Sequence, residues 1–291
     1  MKTRDIMKNN YQNKIDTVIS KIKNANKILI GAGSGLSTAA GITYSGNRFR
    51  ENFENFIQKY SLIDMYSAGF YPFKTSEEKW AYWSRHIKLN RYDDYGTALY
   101  KELYDIVKEK EYFVITTNVD YLFYKTGFDE NKIFAVQGDY GKFQCSIPCH
   151  NKLYNNKNLI MQMVNEQKDC KIPSELIPKC PICGKEMEIN IRKDSAFVQD
   201  KNWIKASDNY LNFIGKYGKE NIVLLELGVG YNTPNIIKYP FEKITYNFPN
   251  VTLVRINKDF SEANIDNKNK TITFNENIRQ VLDSIKLQIN N

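Results

Sequence analysis

Residues 27–42 read KILIGAGSGLSTAAGI. The apolar run Ile28-Leu29-Ile30 reads as a buried strand, Gly31, Gly33 and Gly35 as a turn, and Ser37-Thr38-Ala39-Ala40 as the start of a helix. Glycines let backbone approach a phosphate closely, and a helix start offers free N–H groups and the positive end of its dipole to an anion. A β-branched residue at Gly33 is expected to obstruct such phosphates. The spacing is not the plain dinucleotide fingerprint, because Leu36 stands where a third glycine would fall. No Lys-Ser or Lys-Thr follows, which argues against a nucleoside-triphosphate loop.

On either side of this stretch, strands and helices alternate. Ile15, Val18, Ile19 and Ile22 place an amphipathic helix before the first strand. Helical spacing returns in Phe53–Tyr60, in Trp80–Ile87 behind Ser76, and in Tyr95–Val107. Strands are predicted over 112–116, 132–136, 222–227 and 251–256, and further helices over 205–217 and 278–289. The pattern predicts an α/β fold, a doubly wound parallel (Rossmann-like) sheet forming one domain over 1–291. Within it, 45–110 reads as a helical insertion and 139–195 as a small module rich in Asn, Lys, Pro and Cys. In such sheets ligands sit at the carboxyl ends of the strands. Ser37, Asn118, Asp120, Gln137 and Asn257 all stand at or just past predicted strand ends.

At 291 residues, with 42% hydrophobic and 25% charged residues, the composition is that of a globular chain. The amino terminus is polar and no apolar run approaches membrane-spanning length, so a soluble, cytoplasmic protein is expected, with no signal peptide and no membrane partner. The net charge of +8 suits an acidic partner. Its lysines are scattered rather than blocked, which argues for a solvated surface and against nucleic acid. Five cysteines in a reduced setting argue against disulfides. Cys145 and Cys149, with Cys180 and Cys183, have zinc-knuckle spacing, and His150 is a rival ligand beside the first pair. Four thiolates would leave no open position, so a structural zinc is expected. Cys170 is left over.

Placed in order, these motifs resemble the sirtuins over nearly the whole chain. Gly33-Ser34-Gly35-Leu36-Ser37-Thr38-Ala39-Ala40-Gly41-Ile42 resembles the family loop that holds the NAD pyrophosphate, and Thr117-Asn118-Val119-Asp120 the segment lining the nicotinamide-ribose pocket. Gly228-Val229-Gly230 resembles a later nucleotide turn, and Asn257 the asparagine on the adenosine ribose. The resemblance implies NAD as co-substrate and zinc held by the four cysteines. The family arginine after the glycine loop is to be supplied by Arg48 or Arg50.

Two departures bear on function. Sirtuin deacylases carry His-Gly where this chain has Gln137-Gly138, and Phe-Gly-Glu in the acyl groove where it has Val198-Gln199-Asp200. Collapse of the deacylation intermediate needs a base, which an imidazole can provide near neutral pH and a glutamine amide cannot. The combination resembles the bacterial macrodomain-linked sirtuins, which implies mono-ADP-ribosylation of an acceptor protein. For that group the acceptor is a lipoylated carrier similar to the glycine-cleavage H protein, and a macrodomain hydrolase is a companion. Asn118, Asp120 and Gln137 are then the catalytic candidates, with Asp120 expected to orient or activate the incoming nucleophile. The alternatives are an NAD-dependent deacylase working without histidine, an NAD or ADP-ribose sensor, and an NAD-cleaving effector.

Overall fold

The computed structural model describes residues 2–93, 95–215 and 220–289, with side chains from residue 9 onward. Helix α1 (Lys2–Lys23) leads into β1 (Lys27–Ala32) and the short α2 (Ser34–Ala39). Four helices follow: α3 (Asn47–Tyr60), α4 (Met65–Ala68), α5 (Ser76–Ile87), which runs on as a π turn over Lys88–Tyr92, and α6 (Thr97–Val107). Then come β2 (Glu111–Thr116), β3 (Ile133–Ala135), β4 (Gly138–Cys145), β5 (Tyr154–Asn155), α7 (Lys157–Glu166) and β6 (Met187–Ile191). The chain closes with α8 (Lys201–Ile214), β7 (Ile222–Leu227), α9 (Lys238–Asn247), β8 (Val251–Ile256), β9 (Thr271–Phe274) and α10 (Ile278–Ile289).

Six strands form a parallel sheet in the order β3-β2-β1-β7-β8-β9. Every residue of β1, β7 and β8 is buried, as expected of strands covered on both faces. Alternate residues divide between two cores. Ile28, Ile30 and Leu225 face α1, α6 and α10, whereas Leu29, Leu224 and Leu253 face α8 and α9. The chain leaves β1 for β2 on one side and returns to β7 on the other, so the strand order reverses between β1 and β7. That reversal places a crevice at their carboxyl ends.

The sheet has one strand more than the five read from the sequence. Edge strand β9, TITF, carries only a short alternation, and α9 escapes a sequence reading because Pro240 and the β-branched residues of KYPFEKITYN blur its helical period. The cysteine-bearing region also has more structure than its weak periodicity suggests: β5-β4-β6 form an antiparallel sheet beside α7. A single core joins this sheet to α3, α4 and α5 through Phe53, Trp80, Phe143, Met163 and Met187. Helix α6 packs into the main core through Leu99, Tyr100 and Leu103. Tyr217, read as the end of the helix after 205, lies outside the described residues.

At the crevice the turns after β1 and β7 lie backbone against backbone. The Gly33 and Gly35 amides donate to Leu227 O and Gly228 O, each at 3.0 Å. A Cβ on Gly33 would stand 2.6 Å from Gly228 O, and one on Gly35 2.6 Å from Gly228 Cα. The expected effect of a side chain at Gly33 therefore needs correcting: it would strike the neighbouring turn before it reached any phosphate. Gly228 has φ of 61°, and its own Cβ would come within 2.5 Å of Gly35 Cα. Gly228→Ala should therefore cost roughly 2–4 kcal/mol, combining a left-handed backbone with a contact that neither strand can relieve. Urea denaturation followed by circular dichroism measures it, and a loss below about 0.5 kcal/mol would mean that the two turns can part freely.

Candidate active site

Residues from four strand ends meet around this crossing. Asn118, past β2, donates from Nδ2 to Gly33 O at 3.0 Å. Asn257, past β8, donates from Nδ2 to Val229 O at 2.9 Å, while its Oδ1 accepts from the amides of Asp259 and Phe260. Each asparagine thus ties the loop of an outer strand onto the glycine turn beside it. Ser37, on α2, donates to Asp120 Oδ2 at 2.6 Å, and the Leu122 amide donates to Asp120 Oδ1 at 3.0 Å. Both carboxylate oxygens of Asp120 are therefore used within the protein, and the residue is 6% exposed. Burial, the largest influence on it, raises its pKa, while the Ser37 and Leu122 bonds pull the other way. With both oxygens taken, this carboxyl group organises the loop.

Ser34 and Thr38 are exposed beside the turn, whereas Gly33 and Val229 are buried. Thr117 and Gly230 are half-buried. Because the Gly33 and Gly35 amides are committed to the β7 end, the turn does not present a full row of free N–H groups. Gln137 is half-buried and reaches across to the loop after β7, donating from Nε2 to Thr233 Oγ1 at 3.3 Å. Gly138 follows at φ of 100°, with its Cα packed on Asn190 O where no side chain would fit. Val198 is buried and fixed by Gln144 and Asn190, and Asp200 caps α8 by accepting from the Trp203 amide at 2.9 Å.

The two arginines differ in their surroundings. Arg50 is exposed and donates to Asn47 Oδ1 on its own helix. Arg48 is half-buried, donating to Thr43 O at 3.0 Å, Asn90 Oδ1 at 2.8 Å and Leu89 O at 2.9 Å. Those partners are all neutral, so a fixed guanidinium keeps its charge available to an anion.

Four residues that the sequence reading left out surround the same place. Tyr100, fully buried on α6, lies 3.0 Å from Ser37 Oγ, and Asn118 Nδ2 reaches its hydroxyl at 3.4 Å. Tyr44 and Tyr140 pair their hydroxyls at 3.2 Å. His86 is 1% exposed, edge-on to both of these rings. Tyr82 spends its proton on Met65 O at 2.9 Å, so His86 Nδ1–H donates to the Tyr82 oxygen at 3.1 Å and Nε2 is left bare. Burial, with Arg48 nearby, pushes the His86 pKa down to about 3. Tyr100 and His86 stand on helices, Tyr140 on a strand and Tyr44 in the segment between α2 and α3, and only folding brings them together.

The sulfurs of Cys145, Cys149, Cys180 and Cys183 lie within 4.8 Å of one another, with 3.6 Å between Cys145 and Cys183 and 3.7 Å between Cys149 and Cys180. Zn–S bonds of about 2.3 Å place tetrahedral sulfurs roughly 3.8 Å apart, so the four fit one zinc. His150 stands outside the tetrad, with Nδ1 3.0 Å from Cys149 Sγ and Nε2 3.0 Å from Tyr154 OH. Cys170 lies apart in a tight turn with φ of 59°.

The sequence pattern of the Sir2 family matches residues 33–214, which span the glycine turn, the Asn118 loop and the cysteine tetrad. The chain belongs to the Sir2 family. A Staphylococcus aureus protein named "Protein ADP-ribosyltransferase" is 37% identical over 262 residues, covering 90% of this chain and 83% of that one. A Fusarium oxysporum f. sp. cubense protein, "Probable bifunctional ADP-ribose hydrolase/ADP-ribosyltransferase", is 29% identical over 82% of this chain, which spans 41% of it. Among solved structures, a Sir2 homologue–NAD complex matches with a TM-score of 0.56 at 16% identity, over 94% of this chain and 93% of that one. A mutant Sir2 homologue in complex with ADP-ribose matches with a TM-score of 0.55 at 13% identity, over 94% and 96%. At that identity the likeness is one of fold, and it extends the sirtuin architecture over nearly the whole chain.

Two measurements test this Sir2-family structure. Elemental analysis of protein purified without chelator should give one zinc per chain, and Cys180→Ser should lose it together with much of its solubility; no zinc in the parent protein would dismiss the tetrad. For His86 the folded pKa lies below the unfolded value near 6.5, so on acidification the unfolded chain takes up a proton that the folded chain refuses until about pH 3. Stability should fall through that window, by roughly 2 kcal/mol at pH 5. His86→Gln, which can still donate to Tyr82, should shrink the melting-temperature drop between pH 7 and pH 5; an unchanged drop would show that His86 is protonated as readily folded as unfolded.

Proposed function

We propose that this sirtuin is an NAD-dependent protein mono-ADP-ribosyltransferase. The observation that carries the reading is Gln137 at the place of the deacylase histidine, together with the name borne by the Staphylococcus relative. NAD supplies the ADP-ribosyl group and a nicotinamide that departs without needing a base, because its ring is cationic beforehand. In this reading Ser34, Gly35 and Thr38, with the neighbouring Gly228-Val229-Gly230 turn, face the pyrophosphate. Arg48 supplies the guanidinium in preference to Arg50, since Arg48 is half-buried and held by Thr43, Asn90 and Leu89 whereas Arg50 is exposed. Asn118 meets the nicotinamide ribose, and Asp120 holds Ser37 and the 120–122 turn in place. Thr117 and Gln137 line the same side, and Asn257 shapes the loop that receives the adenosine.

The deacylase alternative lacks a proton acceptor in this setting. Gln137 does not titrate near neutral pH. His86 is closed off at 1% exposure, and His150 is engaged with Cys149 and Tyr154. We take the acceptor to be a lipoylated carrier similar to the glycine-cleavage H protein, and the macrodomain hydrolase to be a companion enzyme. The Fusarium relative supports the second idea, since its name joins a hydrolase and a transferase in one chain. On the packing described above, the helices of 45–92 and the zinc module of 139–195 form one lobe, with α6 left to the NAD-binding core. No helix among the described residues is long and apolar enough to cross a membrane, and reduced cysteines accord with a cytoplasmic enzyme.

Incubation with labelled NAD and either a lysate of the source organism or a lipoylated H-like carrier should label an acceptor band. Acetyl-lysine peptides should release negligible acetate. The transfer rate should lack an imidazole inflection between about pH 6 and 7, and Asn118→Ala should abolish it. Rapid deacetylation by the parent protein would overturn the reading; a labelled band other than the carrier would reject only the acceptor.

A further inference from the structure

The hydrogen bonds around Asp120 have only one consistent direction. Asp120 takes the Leu122 amide on Oδ1 and the Ser37 hydroxyl on Oδ2, the arrangement of a carboxylate that accepts on both oxygens, so the single Ser37 proton goes to Asp120. Ser37 Oγ must then accept from Tyr100 across their 3.0 Å contact, which spends the single proton of Tyr100. The Tyr100 oxygen is left as an acceptor, and Asn118 Nδ2 donates to it at 3.4 Å, the longest link of the series. The other Nδ2 hydrogen goes to Gly33 O at 3.0 Å. Protons therefore point in file from Asn118 through Tyr100 and Ser37 to Asp120. The ends of the file are Asn118, half-buried at the crevice, and Asp120, buried.

We propose that Tyr100 is a positioning residue for the transferase: it relays the acceptor character of Asp120 to Asn118, so that both amide hydrogens of Asn118 turn inward and Oδ1 alone faces the ligand. Asn118 then presents an acceptor, suited to a hydroxyl donor such as a ribose hydroxyl, and never an N–H. Without Tyr100 the amide keeps its bond to Gly33 O but loses the second inward restraint. Hydrogen bonds in file polarise one another, so the carboxylate strengthens links that it does not touch. The Tyr100 ring sits edge-on to Phe123 at 4.8 Å in the main core. Removal of the hydroxyl alone thus leaves the packing in place.

This inference rests on the assignment of Asn118 to the NAD ribose, and the experiment separates the two. Tyr100→Phe, Asp120→Asn, their double variant and Asn118→Ala are compared for NAD affinity by calorimetry and for nicotinamide release from NAD in a lysate of the source organism. Tyr100→Phe should bind NAD within about threefold of the parent, melt within a few degrees of it, and turn over roughly tenfold or more slowly at saturating NAD. The double variant should be no slower than Asp120→Asn, because both changes cut one file. Turnover by Tyr100→Phe within twofold of the parent, or losses that simply multiply in the double variant, would overturn the role of Tyr100. Full turnover by Asn118→Ala would overturn the site assignment instead.

Discussion

The constraint on which the rest of the structure depends is the contact between two glycine turns at the reversal of the sheet. Gly33 and Gly35 after β1 meet Gly228 after β7 with no room for a Cβ on any of the three. This closeness lets two amides of one turn bond to carbonyls of the other. Asn118 and Asn257 then each donate a side-chain N–H to a carbonyl of the nearer turn, at 3.0 and 2.9 Å. Four parallel strands thereby end in loops that are mutually fixed. Loops tied to one another in this way have less freedom to lose when a ligand binds.

The two flanks of the crossing use opposite kinds of polar chemistry. Behind β7 and β8, fully buried Glu226 takes Lys238 at 3.0 Å and Arg255 at 2.8 and 3.0 Å, and Arg255 also meets Glu242 at 2.9 Å. Two acids and two bases balance, as burial requires, since an unpaired charge there would cost several kcal/mol. Glu226 and Arg255 are register partners on adjacent strands. The cluster locks the register next to the turn, and Lys238 carries the lock to α9. At the carboxyl ends of β1 and β2 the buried acid is Asp120, joined through the hydroxyls of Ser37 and Tyr100 to the Asn118 amide. On that side a neutral amide lies nearer the crevice, with the carboxyl group buried one layer back.

The small lobe fixes several of its own charged side chains through contacts between elements. Arg48 stands on α3 but takes its partners from α4 and from the turn after α5. That turn is a π segment, a form in which helices often place functional residues. From it Arg91 forks onto Asp139 at 2.7 Å and lies 3.7 Å over the Tyr121 ring. Tyr121 has φ of 70°, an uncommon conformation for its type, directly after Asp120. The Arg91 contacts hold it there. The zinc tetrad supports this arrangement at a distance, because its sheet shares a core with α3 and α5.

The sequence by itself determined the strand–glycine–helix unit, the alternation that makes a parallel sheet, the cysteine tetrad and the order of the motifs. Those features are local: glycine spacing, apolar periodicity and Cys-x-x-Cys turns carry their physical meaning within a dozen residues. Edge strand β9, α9 and the small antiparallel sheet escaped it, because short or proline-bearing segments owe their form to what they pack against. The different settings of Arg48 and Arg50 also came only with the tertiary structure, since they sit on one helix and differ only in what the other helices bring near. So did the bonds of Tyr100, spaced like core on α6 and joined to Ser37 and Asn118, respectively 63 and 18 residues away. A sequence records which groups can donate and accept. Only the closed fold decides which of them are left facing the ligand, because every proton spent inside the protein is one the substrate does not meet.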